Sequence, residues 1–508
     1  MKMIWTLVIV TILTAAGTGT ALAADAPDAS AERIAKLVAD LGADSYIARQ
    51  EATEELVRIG KPAITALEKA TASGDAEVRM RATKALAEIR KSDFERASDA
   101  VAKQTLWKTP IAGGACGSPV LVGGNVAVAC WDDHVRLFDA KTGKLAGEVA
   151  AEAQAGVAAD GKRVFFKGAD GKLAAIDAAT GKAVEGFAGP SIAGVPAAAG
   201  GMVYAAGADK TFLAMAGGTG KTTWSVTLPD AAVADVPPAV GDGIVCVVTG
   251  EGVVRALAAA DGKEKWSSNP VAEAKFVSVA AGKVMVHGRD GLTAFASEDG
   301  KRAWTWVSTG EAGAAGGMAV AFKQQVIING KNVALPSADA AGKTVAVADG
   351  VAYLTAGEKL LALTAEGKEK WSMTPALPKD EKKDAGGAPG VAGGNFVVAG
   401  GGKAQIRIMV AGNVGGGANF IGGPGGGKGL TGPAVHEGVV YVGGPDGLHA
   451  VDLASQAELW KLATPAPVAG RPVVADGVIY FATFRPGQLA KGAEGEDGPC
   501  VYAVKVAK

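Results

Sequence analysis

The stretch VRALAAADGKEKW at 254–266 joins an apolar strand, a turn ending in Gly-Lys and, just beyond it, a Trp. The same phrase returns as VRLFDAKTGK at 135–144, LAAIDAATGK at 173–182 and LLALTAEGKEKW at 360–371. Short strands recurring about every 40 residues mark a β-propeller in which each repeat supplies one blade, so the chain is read as mainly β. A second phrase announces the preceding strand: Gly201-Met202-Val203-Tyr204, Asp242-Gly243-Ile244-Val245, Asp349-Gly350-Val351-Ala352-Tyr353, Glu437-Gly438-Val439-Val440-Tyr441 and Asp476-Gly477-Val478-Ile479-Tyr480. Asp-Gly signals a hairpin because glycine accepts the positive φ that the turn requires. The third strand of each unit then ends at the Gly-Lys turn, and the following Trp opens the outer strand.

Trp224, Trp266, Trp304, Trp371 and Trp460 fall at matching places in their repeats. A large flat ring there can pack between neighbouring blades and fix their angle, so these residues are expected to dock blades and not to bind a ligand. Counting turns gives up to nine candidate units, with a weak stretch at 316–343 and a Gly-rich one at 415–429. The chain ends in a strand at 501–506, and a strand at 105–110 is placed to complete the same blade. Such closure hides the open edges that a linear sheet would leave.

At 508 residues, nearly half of them hydrophobic, the chain is long enough for more than one core. A formal charge of −1 gives no electrostatic case for nucleic acid or an anionic membrane as partner. Residues 1–23 read as an export signal: Lys2, an apolar run from Ile4 to Leu13, then small residues to Ala21-Leu22-Ala23, an A-x-A cleavage pattern. That run is short for a bilayer span and no second apolar segment follows, so the mature protein is expected to be periplasmic or secreted, without a membrane span. No Cys stands just after the cleavage point, which argues against a lipid anchor there.

Residues 31–92 follow a different grammar, rich in Ala, Glu, Lys and Arg with a helical period. RQEATEELVRI at 49–59 aligns with RMRATKALAEI at 79–89, matching Arg49 with Arg79, Ala52 with Ala82, Leu56 with Leu86 and Ile59 with Ile89. These apolar positions share one helical face. Pro62 marks the place where one helix stops and the next begins. The segment resembles a HEAT-like α-solenoid unit, which implies either an interaction surface or a plain spacer.

The blades at 104–508 resemble the pyrroloquinoline-quinone-type (PQQ-like) propeller repeat. That resemblance implies an eight-bladed ring, with seven to nine blades open on the turn count alone. The superfamily holds quinoprotein alcohol dehydrogenases and non-enzymatic propellers, among them the outer-membrane-assembly lipoprotein of Gram-negative bacteria. The quinoprotein enzymes use adjacent cysteines over the quinone, with Glu, Asn and Asp around calcium; here Cys116, Cys130, Cys246 and Cys500 are all separated, and aromatic residues are only 6%. No cofactor, metal or catalytic residue is therefore expected, and the chain is read as no enzyme. Cys116 and Cys130 lie on neighbouring strands, where a disulfide or two buried thiols are both open readings.

Two strings imitate a phosphate loop. In Gly217–Lys221 and the following Thr222, Met215 stands where the first Gly is needed; in GGPGGGK at 422–428, Gly429 replaces the Ser/Thr that would hold Mg²⁺. Neither leads into a helix, so both are read as turns. Asp132-Asp133-His134 is the densest polar cluster and is read as a solvated hairpin turn. Histidines 134, 287, 436 and 449 show no ligand spacing. The function expected is non-enzymatic binding or scaffolding at the cell envelope, with a protein or polysaccharide partner. The alternatives are a PQQ-dependent oxidoreductase and an outer-membrane protein assembly factor of the propeller lipoprotein type.

Overall fold

A computed structural model of the chain describes residues 29–151, 156–307, 325–328, 331–334, 344–375, 429–484 and 498–506. The export signal read at 1–23 and the GGPGGGK string at 422–428 lie outside the described residues, as does most of the stretches 316–343 and 415–429. The chain divides into two compact units, Met1–Asp93 and Phe94–Lys508. No helix among the described residues is long and apolar enough to cross a membrane.

The first unit is helical: α1 (Ala31–Asp40), α2 (Tyr46–Ile59), α3 (Ile64–Ala70) and the start of α4 (Ala76–Lys103), with a 3₁₀ turn at Lys61–Ala63. Its core gathers Ala52, Leu56, Ile59, Ala82, Leu86 and Ile89, the apolar positions that the thirty-residue alignment pairs, together with Leu41 and Leu67. The loops repeat too. The Arg49 Nη1 donates to the carbonyls of Ala43 (2.6 Å) and Asp44 (2.8 Å), and Arg79 Nη1 to those of Ser73 (2.7 Å) and Gly74 (2.9 Å). Each arginine thereby satisfies carbonyls in the turn before its helix, which have no helical partner of their own.

The second unit carries eight four-stranded antiparallel sheets and one two-stranded hairpin. Blades 1 to 7 occupy 120–150, 158–183, 197–227, 239–267, 276–307, 345–373 and 434–463. Blade 8 takes three strands from the end of the chain, Val468–Ala475, Val478–Thr483 and Cys500–Lys505, and its outer strand, Thr105–Pro110, from before blade 1. The ring is thus eight-bladed. A further hairpin, Gln325–Ile328 with Lys331–Ala334, pairs as two strands in the chain between blades 5 and 6.

The middle strands, such as Ile244–Val248, are buried throughout, which is why they read as unbroken apolar runs: other blades cover both faces. Outer strands such as Thr222–Thr227 alternate between exposed and partly buried residues, as a half-covered strand does. The Asp-Gly turns leading into the middle strands hold positive φ at both residues, 50° and 72° at Asp242-Gly243, a geometry whose twist suits a tight hairpin.

Candidate functional site

The Gly-Lys phrase and the Trp residues meet between blades. The Trp266 indole N–H of blade 4 donates to the Ser297 carbonyl of blade 5 (2.9 Å), and its ring lies where a Cβ on Gly300 would sit, 2.5 Å from Cδ2. Trp224 of blade 3 does the same to Ala259 (3.1 Å) and Gly262, and Trp304 of blade 5 to Ala365 (2.8 Å) and Gly367. Glycine in the repeated Gly-Lys turn therefore serves twice, accepting a positive φ and leaving room for the indole of the preceding blade. The Trp sits within its outer strand, not at its start, and faces a fully buried alanine on the third strand: Ala214, Ala256, Ala294, Ala362 and Ala450 for the five sequence-identified Trp residues.

Trp371 and Trp460 keep the alanine but meet different neighbours. Trp371 packs 6.0 Å from Tyr353 of its own blade, and the matching turn of blade 7 carries Gln456, at φ 58°, in place of glycine. Trp460 packs 5.9 Å from Tyr441 and shares a core with Phe481, Tyr502 and Val101; blade 8 has no third-to-outer turn, since its outer strand comes from the other end of the ring.

Three docking residues escaped the sequence reading. Trp107, in the outer strand of blade 8, donates to the Ala140 carbonyl (2.9 Å) and covers Gly143 of blade 1, opposite Ala503. Phe187 stands where blade 2 lacks a Trp and covers Gly220 of the Gly217–Lys221 string, which is the third-to-outer turn of blade 3. Blade 1 carries Gly147 instead, so close to blade 2 that an added Cβ would lie 2.2 Å from the Gly181 carbonyl oxygen. The signal was the turn glycine of the next repeat, whichever aromatic residue preceded it.

The sequence-identified polar residues are drawn into local pairs. Arg136 binds Asp132 through two bonds (2.8 and 2.6 Å) and Glu148 through a third (3.0 Å), while His134 Nδ1 meets the Asp132 carbonyl at 2.8 Å. Burial opposes the Arg136 charge, but its hydrogen bond to Asp132 outweighs this and keeps it firmly protonated. Asp132-Asp133-His134 is thus committed to an internal network and is not an open cation loop. Among the described residues no group of three or more His, Cys, Asp or Glu side chains is placed to hold a metal. Cys116 and Cys130 lie in adjoining segments, with the Cys116 N–H donating to the Ala129 carbonyl (3.0 Å), but they are separate buried thiols and not a disulfide. Burial pushes both thiols up, Cys130 to about 12, so neither is a ready nucleophile.

A cavity also opens among the described residues. At the centre of the ring, a space of about 450 Å³ is lined by innermost segments of blades 1, 5, 6, 7 and 8: Ser118, Phe276, Thr344, Val435, Arg471 and Val473 among them. Arg471 lies between Gly470 and Pro472 where the pairing of blade 8's inner strand slips, from Ala469↔Ala482 to Val473↔Tyr480. Blade 1 has the same irregularity, with Ala115 opposite Cys130 and Val120 opposite Ala127, and Ser118 at the corresponding place. The Arg471 N–H donates to Ser118 Oγ (2.8 Å), and Gly470 packs on the Ser118 backbone, joining the last blade to the first. The sequence signal was the residue before a proline ahead of the inner strand: Ser118, Val195, Val236 and Gly432 elsewhere, but Arg471 here.

The family model described as outer membrane protein assembly factor BamB (PQQ_2) matches residues 96–184, 131–236, 218–426 and 418–503. This chain belongs to that PQQ-like repeat family. Among curated relatives, the outer membrane protein assembly factor BamB of Burkholderia pseudomallei (strain K96243) is 36% identical over 107 residues, 21% of this chain. The match spans 28% of that relative's length. Among solved structures, BamB from Moraxella catarrhalis is 15% identical, with a TM-score of 0.49 over 79% of this chain and 99% of that one. The computationally designed Ika8 protein is 13% identical, with a TM-score of 0.50 over 79% of this chain and 100% of its own. At such identity the PQQ-family propeller shares its fold with the designed protein, and fold alone.

Proposed function

We propose that this PQQ-family propeller is a non-enzymatic scaffold of the cell envelope that acts in outer-membrane protein assembly by binding protein partners. The observation that carries this reading is the family match running from residue 96 to 503, whose description is an assembly factor. Of the roles expected from the sequence, it favours the assembly alternative over a general scaffold with a polysaccharide partner. The separation of all four cysteines supports the non-enzymatic part, since no adjacent pair is available to close over a quinone. A rigid ring presenting loops suits such a role, because function on propellers resides in the loops and not in the repeat.

The test is crosslinking in cells of the native host, followed by affinity purification and mass spectrometry. Barrel-assembly components are expected among the captured proteins, and loss of the gene is expected to lower the amount of folded outer-membrane β-barrels. Unchanged barrel levels with no assembly component captured would remove the reading. A spectral change or dye-linked oxidation on titration with quinone and calcium would instead establish the oxidoreductase alternative.

A further inference from the structure

Arg471 is the one charged residue among those lining the central cavity, and its guanidinium has no acidic partner among the described residues. Burial holds it below its ordinary pKa, and no carboxylate among the described residues offsets the cost. Elsewhere in the protein buried cations are paired: Arg136 with Asp132 and Glu148, and His449 with Asp446 and Glu458. A desolvated cation without a partner is unfavourable, so such a group calls for an explanation, and a missing anion is the simplest one. Thr344 contributes to the same wall, with its hydroxyl turned onto the Gly432 backbone and sealed from the space. The remaining walls are apolar, from Phe276, Val435, Val473 and Val474.

The backbone is shaped to present this arginine. The slip in pairing at 470–472 places Arg471 off the regular ladder, and irregularities of this kind commonly re-aim a side chain towards a site. The Arg471 N–H is already held by Ser118 Oγ, so the backbone is anchored while the guanidinium keeps its donors. Five donors in a planar fork match a carboxylate or a phosphate, and the apolar walls beside Arg471 suit the singly charged carboxylate better.

We propose that the cavity at the centre of the propeller binds a carboxylate carried on a compact apolar body, with Arg471 gripping the carboxylate and Phe276 and the valines enclosing the apolar part. This goes beyond the assembly role and does not depend on it: a ligand site in the ring can exist whether or not barrel-assembly proteins are partners. Two sources share the chemistry, a small free carboxylic acid and the C-terminal carboxylate of a peptide ending in an apolar residue.

The test uses the full chain and 4-fluorobenzoate, followed by fluorine NMR line broadening and calorimetry. Saturable binding is expected, at least tenfold weaker for Arg471→Gln and little changed for the exposed control Arg302→Gln. Unfolding temperatures of the variants, and partial recovery in Arg471→Lys, separate loss of the site from loss of the fold. The neutral isostere 4-fluorobenzyl alcohol is expected not to bind. Equal binding of acid and alcohol, unchanged affinity in Arg471→Gln, or no saturable binding of the acid would each overturn the proposal. Ala-Val-Phe with a free terminus, set against its amide, distinguishes the sources: binding of the free peptide as well as of fluorobenzoate, with none of the amide, assigns the site to chain ends, whereas binding of fluorobenzoate but not of the peptide assigns it to small acids.

Discussion

Trp266 satisfies several demands in one side chain: its ring fills the space over Gly300, its N–H serves the Ser297 carbonyl, and its other face rests near Phe295 at 6.3 Å. Trp266→Ala removes all of them and opens a cavity between blades 4 and 5, so a loss of about 3–5 kcal/mol is expected in urea unfolding. Trp266→Phe keeps most of the packing but leaves the Ser297 carbonyl without its donor, and is expected to lose about 1 kcal/mol for that bond, with a further packing cost for the smaller ring. If the two variants unfold alike, the indole is not holding the blades by both means. The cysteines give a second residue-scale expectation. With Cys116, Cys130, Cys246 and Cys500 buried and their thiols pushed up by burial, a thiol reagent added without reductant should label none in the folded protein and all four after denaturation. Only two labelled on unfolding would mean that Cys116 and Cys130 are joined in the cell after all.

At the scale of elements, blade 7 contains a buried ionic cluster. His449, on the strand Gly447–Asp452, is fully buried between Glu458 Oε1 (2.7 Å) and Asp446 Oδ1 (3.0 Å), and Lys461 Nζ meets Asp446 Oδ2 at 2.7 Å. Burial disfavours the charged imidazole, but hydrogen bonds to Asp446 and Glu458 outweigh it and hold the His449 pKa above 6.5. Burial likewise works against ionised Asp446, and its bonds to His449 and Lys461 win, holding it below 3.8. A raised histidine stabilises fully below its unfolded pKa and loses that contribution as pH rises through the folded value. A lowered aspartate stabilises above its unfolded pKa and loses its contribution as pH falls through the folded one. The cluster should therefore help most between 3.8 and 6.5 and less on either side. His449→Leu, which removes the imidazole from between Asp446 and Glu458, is expected to cost about 3 kcal/mol within that window and progressively less in alkaline buffer, read from denaturation midpoints across pH. A pH-independent difference would show that the imidazole is neutral in the folded protein. None of this was legible in the sequence, where His449 stood without metal-ligand spacing; its partners come from a turn and from the adjacent strand, and only strand pairing brings them together. The blades themselves were legible because turn glycines, middle-strand apolar runs and outer-strand Trp residues all lie within one local phrase. Arg471 was not, since AGRP has no periodic sign and its meaning depends on what four other blades place around it.

At the scale of the whole propeller, the ring depends on two stretches of chain separated by nearly its entire length. Thr105–Pro110 pairs with Cys500–Lys505, and Trp107 on that strand covers Gly143 of the first blade, so one short segment both completes blade 8 and docks it to blade 1. The sequence showed the strand, but not the role of its Trp, because the alanine opposite, Ala503, lies at the far end of the chain. Replacing residues 105–110 by a Gly-Ser linker of equal length keeps the connection and removes both functions. The strand Cys500–Lys505 would then present an unpaired edge, the kind of surface that recruits another chain. Loss of the Trp107 contacts alone is worth about 3–5 kcal/mol, so a fall in unfolding temperature of about 4–6 °C or more is expected by calorimetry. Concentration-dependent oligomers should appear in light scattering. The single variant Trp107→Ala keeps the strand and should lower the unfolding temperature without forming oligomers, because the ladder to Cys500–Lys505 still covers the edge. If the linker variant stays monomeric and melts with the wild type, the ring is held by contacts between neighbouring blades and not by its closure.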